Sequence, residues 1–344
     1  MQVSRRTFCA TAAATVATAA FTSRHVRSAE HRPVDLVIVG GGLGGCSAAI
    51  AALRNGLRVI MTEQTDWIGG QLTSQGVPPD EHRWIETAGA NQSYRTLRSR
   101  IREHYRKHYP LSAAARSNPA LNPGNGNVSR LCAEPRVSLA VLEDWLAPYE
   151  QSGQLVVLRE HVVTAADVEG DLVVAVTVRS LKTDEPCVLQ ALYFVDATEL
   201  GDLLPLSGTE FVTGSEARSE TRELHAAETA DAKNQQAFTM CFAVDHLAGE
   251  DHTIDRPREY AYWRDFVPTM SPPWPGRLLD FTYTHPRTGQ PKRLGFDPEG
   301  GRSINGTLNL WTYRRMIDRS LFEPGRFAGD VSLINWPQND YLLG

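Results

Sequence analysis

The polarity of the chain changes period several times, and the changes set out an order of elements. Val34-Asp35-Leu36-Val37-Ile38-Val39 is a continuous β-branched run, the kind buried on both faces of a parallel sheet. Residues 46–55 carry small apolar side chains and end at Gly56, which predicts a helix. Residues 57–62, closed by Glu63, predict a second strand. Residues 90–109 are amphipathic: Tyr94, Leu97, Ile101, Tyr105 and His108 form one stripe. Arg95, Arg98, Arg100, Arg102, Arg106 and Lys107 cover its other faces and read as a solvated surface. Residues 113–130, rich in Asn, Pro, Gly and Ser, predict a long loop able to cover a site. Helical spacing returns over 137–149. Residues 155–158, 162–168 and 172–178 read as a β-meander with Gly170-Asp171 as a turn. An apolar strand then runs into Asp196-Ala197-Thr198. Residues 216–236 predict a polar helix, and 238–244 a strand opening a second domain.

The candidate chemistry follows the first strand. Gly40-Gly41-Gly42-Leu43-Gly44-Gly45 satisfies G-x-G-x-x-G between a strand and a helix. Gly40 permits the tight turn, Gly42 lets backbone approach a pyrophosphate, and Gly45 lets the helix pack on the sheet. The helix N-terminus adds unpaired N–H groups and a partial positive charge. Glu63 lies 18 residues beyond Gly45, where an acid hydrogen-bonds ribose hydroxyls. This is a dinucleotide-binding βαβ unit in full context.

The first 29 residues read as an address. Ser4-Arg5-Arg6-Thr7-Phe8 precedes an Ala/Thr/Val run over 11–21, too short to span a bilayer as a helix. The segment resembles the twin-arginine (Tat) export signal, with Cys9 and Ala10 where the pattern has Leu and Lys. A periplasmic or secreted location is expected, without integral membrane association after cleavage. Residues 1–29 hold four of the 35 basic residues and none of the 40 acidic ones, so 31 basic face 40 acidic residues beyond them. That balance gives no argument for nucleic acid. The five cysteines form no CxxC pair, and His104 and His108 have no third ligand in view, so no metal site is expected.

Two further segments choose between cofactors. Ile68-Gly69-Gly70-Gln71-Leu72-Thr73-Ser74 resembles the GG motif of the glutathione-reductase-like flavoproteins, with Trp67 and Gln71 in place of two arginines. Asp196-Ala197-Thr198-Glu199 resembles their ATG motif, with Glu199 in place of glycine. The chain therefore resembles the bacterial, often exported, FAD-dependent oxidoreductases of that class. The resemblance implies an α/β Rossmann-like FAD/NAD(P)-binding fold, a parallel sheet with a β-meander insertion, plus a partial mixed α+β second domain. It implies FAD as cofactor, held by Gly40, Gly42, Leu43, Gly44, Gly45, Glu63, Gln64, Gly69, Gly70, Gln71, Ser74, Val162, Ala197 and Thr198. Val162 is the expected main-chain contact to adenine.

The expected organisation is a signal over 1–29, an FAD-binding domain over 30–212 with an insertion at about 85–135, and a partial substrate or cap domain over 213–344. The expected reaction is hydride transfer between flavin and a small-molecule substrate, with His82 as the candidate catalytic base and the electron acceptor open. Such flavoproteins return to the nucleotide domain by a last strand and helix, and no such pattern occurs over 211–344. The chain is therefore expected to be part of a longer protein. The alternatives are an NAD(P)-dependent dehydrogenase on the same unit, or a nucleotide-binding fragment without turnover.

Overall fold

The computed structural model describes residues 34–271 and 273–341. The expected export signal lies outside the described residues. Strand β1 (Val34–Val39), helix α1 (Leu43–Arg54) and strand β2 (Val59–Glu63) form the βαβ unit that the sequence predicts. The strands run parallel, with Leu36 opposite Val59 and Ile38 opposite Met61. Val37, Ile38 and Val39 are buried because both faces of the sheet are covered. Helix α1 turns Cys46, Ala49, Ile50 and Leu53 inward, and its small residues let it lie close to the strands.

Helices α2 (Gln92–His108), α3 (Ala113–Ser117) and α4 (Pro135–Gln151) follow. Asn91 caps α2 by accepting the Tyr94 N–H at 2.9 Å, and Pro135 opens α4 where no N–H is needed. Strand β3 (Leu155–Arg159) then pairs parallel to β2, with Leu155 opposite Val59. This corrects the expectation that it belongs to the meander. A helical crossover through α4 delivers the chain back in the parallel sense, and an apolar run alone does not say which neighbour it will pair with. The meander proper is β4 (His161–Glu169), β5 (Leu172–Ser180) and β6 (Pro186–Asp196). Strand β6 serves two partners: residues 186–190 pair antiparallel with β5, while Ala191 and Tyr193 to Asp196 pair parallel with β1. One six-stranded sheet results, in the order β3-β2-β1-β6-β5-β4.

Apolar packing occupies both faces of this sheet. Ile38 and Met61 meet Ile50, Ile101, Tyr105, Leu142 and Leu146 from the helices. On the other face Val37 and Val39 meet Val176, Val178, Leu189 and Leu203.

Three expectations change. Residues 113–130 are not all loop, since α3 lies within them, and the stretch is pinned rather than poised to move. The N–H of Gly124 donates to the Cys132 carbonyl, Arg315 Nε donates to the Gly124 carbonyl at 2.9 Å, and the Val128 N–H donates to the Tyr313 carbonyl. Residues 216–236 hold only the short helix α6 (Arg218–Thr221), after α5 (Leu203–Ser207). Helix-forming residues without an apolar stripe to bury give a marginal helix. Arg98 and Arg102 are not solvated: they are buried and ion-paired with Glu81 and Glu86.

Strand β7 (Phe242–His246) starts later than expected and pairs with the strand Asp330–Ile334, which in turn pairs with the strand Arg315–Ile317. Ile317 and Phe322 join the helical side of the main core, so late residues pack against early ones.

Candidate FAD-binding cleft

The cleft opens at the carboxyl ends of β1 and β2, where an α/β sheet offers its ligand crevice. Its first wall is the glycine-rich turn. Gly40 adopts φ +103°, and a Cβ there would stand 2.3 Å from the Ala197 carbonyl oxygen. A Cβ on Gly45 would stand 2.0 Å from the Gly40 carbonyl oxygen. Both positions therefore demand glycine for backbone contact, and α1 begins immediately behind the turn. The N–H groups of its first turn have no intrahelical acceptor.

The strand ends hold this turn in shape. The Gly40 N–H donates to Thr62 Oγ1 at 3.2 Å, and the Gly41 N–H donates to Glu63 Oε2 at 3.2 Å. Glu63 Oε1 accepts the Thr65 N–H and hydroxyl, both at 2.8 Å. Glu63 is thus the brace between the glycine turn and the segment leaving β2.

The GG loop is tied on from the other side. The Gly69 N–H donates to the Gly41 carbonyl at 2.8 Å, and Thr73 Oγ1 donates to the Ile68 carbonyl at 2.6 Å. Gly69 and Gly70 both lie at positive φ, and a tight 3-10 turn over Gly70–Leu72 follows. The Asp-Ala-Thr segment closes the third side. The Ala197 N–H donates to the Val39 carbonyl at 2.7 Å. Asp196 Oδ1 accepts the Thr198 N–H and hydroxyl, and Asp196 Oδ2 accepts the Leu203 N–H at 2.9 Å.

These parts enclose a cavity of about 210 Å³. Of the residues the sequence singles out, Gly40, Gly42, Glu63, Gln64, Gly70, Ser74, Val162, Ala197 and Thr198 line it. Leu43, Gly44, Gly45, Gly69 and Gln71 are not among its lining. Gly45 sits beneath the turn, Gly69 packs on Leu142 and Thr73, Gly44 and Gln71 are exposed, and Leu43 faces a separate groove with Trp145. Thr62, Thr65, Gln75, His161 and Asp202 line the cleft without having been foreseen. Thr62 was detectable as a hydroxyl residue beside the terminal acid of β2, whereas His161 arrives only because β4 follows β3 into the meander.

His82 lies elsewhere. It lines a surface groove with Arg83, Asn127 and Arg302, and that groove shares no lining residue with the cleft. His82 Nδ1 accepts the Trp84 N–H at 3.2 Å. The thiol of Cys46, under the glycine turn, is pushed up to about 12 by burial, with Glu63 adding to the shift. Among the described residues no group of three or more metal-ligating side chains is present.

Fold and cleft define an α/β dinucleotide-binding protein of the Rossmann-like kind. The chain belongs to the FAD dependent oxidoreductase family, whose sequence model matches residues 35–343. It is 37% identical over 60 residues to the FAD-dependent monooxygenase atnJ of Arthrinium sp, which is 17% of this chain and 14% of that protein. Among solved structures it is similar to Sdh1 of Mycobacterium smegmatis in complex with UQ1, at 12% identity and a TM-score of 0.34, over 48% of this chain and 34% of that one. It is similar also to the glycerol-3-phosphate dehydrogenase of Bacillus halodurans complexed with FAD, at 16% identity and a TM-score of 0.32, over 51% and 36% of the two chains. The chain thus spans 14% of that curated relative and about a third of those solved structures.

FAD is the family's cofactor, and the cleft fits it. Gly42 carries no side chain toward the space, an acid stands at the end of β2, and the β4 backbone at Val162 borders the same space.

Proposed function

We propose that the chain binds FAD across this cleft and serves as an oxidoreductase acting on a small-molecule substrate by hydride transfer. The observation that carries the reading is the Gly69–Gly41 hydrogen bond, which joins the GG loop to the glycine turn so that both border one cavity. Bound flavin supplies the hydride acceptor or donor that no amino-acid side chain can. The chain's own residues bind and orient. The first N–H groups of α1 would receive the diphosphate, and the Glu63 carboxylate would take ribose hydroxyls beside its bonds to Gly41 and Thr65. The Val162 main chain would meet adenine, and Ser74, Ala197 and Thr198 line the same cavity. The visible spectrum of the purified chain tests this reading. Bands of bound oxidised flavin are expected; a chain that takes up NADH but retains no FAD overturns it.

The N-terminal pattern supports export by the twin-arginine route as a folded protein, with residues 1–29 as the signal. Replacing Arg5 and Arg6 by lysine is expected to keep the protein in the cytoplasm. Unchanged export of that variant refutes the route.

A further inference from the structure

The charges around the cleft are the opposite of what a diphosphate calls for. Among the described residues its charged lining consists of Glu63, Glu199 and Asp202, with no Lys or Arg. The GG loop carries Trp67 and Gln71 at the positions where the motif it resembles has arginines, so it adds no cation. Glu63 is engaged with Gly41 and Thr65. Glu199 is not: no hydrogen bond or ion pair holds it among the described residues, and it is exposed.

Its carboxylate lies close to both glycine-bearing loops. Glu199 Oε1 lies 3.2 Å from where a Cβ on Gly42 would stand, and 2.9 Å from where one on Gly70 would stand. That Gly70 point is itself 3.7 Å from the Leu43 nitrogen at the start of α1. The carboxylate therefore rests in the gap between the two glycine-bearing loops.

We propose that the Glu199 carboxylate is an internal competitor for the diphosphate of FAD, one that occupies the seat between Gly42 and Gly70 and must swing out before the cofactor settles. The proposal rests on the reading that FAD uses this cleft. Two anions in the gap repel each other, and among the described residues no Lys or Arg lines it to offset that repulsion. An exposed, unbonded side chain can rotate away at small cost, so Glu199 weakens cofactor binding without abolishing it. Affinity for FAD is then set by a residue that makes no favourable contact with it.

The test titrates the full chain with FAD, ADP and adenosine, in wild type and in Glu199→Gln, Glu199→Gly and Gly45→Ala variants. Flavin fluorescence reads FAD, and calorimetry reads the other two. Both Glu199 variants are expected to bind FAD and ADP about tenfold more tightly, with adenosine unchanged, since only the diphosphate meets the carboxylate. Unchanged or weaker FAD and ADP binding by Glu199→Gln overturns the proposal, the weaker case making Glu199 a ligand of the cofactor. Loss of FAD binding in Gly45→Ala, measured below its thermal transition where the variant is folded, supports use of the cleft; wild-type FAD binding by folded Gly45→Ala overturns that reading instead, so the two failures are distinguishable. Glu199 has no structural bond to lose, so its variants fold, and matching thermal transitions verify it.

Discussion

The Gly45 position faces the Gly40 carbonyl oxygen so closely that an added Cβ would stand 2.0 Å from it. Backbone, not a movable side chain, is the obstacle. Gly45→Ala must therefore push α1 off the glycine turn. We expect a loss of about 2–4 kcal/mol in stability, as for other forced overpacking. Flavin retention should fall with it. Denaturant midpoints and the flavin absorbance of the purified variant check both.

Asp196 is the hinge pin of the third wall. Its two oxygens receive the Thr198 N–H and hydroxyl and the Leu203 N–H, fixing how the chain leaves β6. Asp196→Ala leaves those donors without their acceptor and should cost about 1–3 kcal/mol. Asp196→Asn, which keeps one acceptor oxygen, should cost less. Chemical denaturation of the two variants side by side gives the comparison, and equal losses would contradict this role.

Arg98 and Glu81 form an ion pair whose side chains are 4% and 3% exposed, with the Tyr94 hydroxyl and Ser129 also donating to Glu81. Glu81→Ala leaves a buried guanidinium short of a partner, and we expect a loss of about 3–5 kcal/mol. Replacing Glu81 and Arg98 together by apolar residues should recover part of it. A double-mutant cycle reads the difference.

Glu86, which pairs with Arg98 and Arg102, has its carboxyl held below the ordinary 4.5, chiefly by the hydrogen bond from Arg102. Its lowered folded value contributes stability that is present above 4.5 and lost as pH falls through the folded value. Acid denaturation of Glu86→Gln should therefore show a shallower decline below that pH than wild type. An identical acid limb would count against the pairing.

Burial pushes both the Cys46 and Cys132 thiols up to about 12. At pH 8 the thiolate fraction of each is then about one in ten thousand. Neither should react with a thiol reagent in the folded protein, and both should react in denaturant. Mass spectrometry of labelled peptides distinguishes the two conditions.

The sequence by itself determined the nucleotide-binding unit. A β-branched run, a glycine triad, small helical residues and a terminal acid are local features. Each follows from short-range sterics and burial, so Gly40, Gly42, Gly45 and Glu63 were legible. The Asp196-Ala197-Thr198 segment was legible as a motif, though not its reason, since Asp196 bonds forward to Leu203. What the tertiary structure decided was pairing and burial. That β3 extends the parallel sheet, that Arg98 and Arg102 turn inward, and that residues 113–130 are pinned by the segment around Arg315 depend on contacts between distant positions. The same holds for Glu199. Its place in the sequence marks only a departure from a glycine, whereas the fold carries its carboxylate between Gly42 and Gly70, residues 157 and 129 positions earlier in the chain.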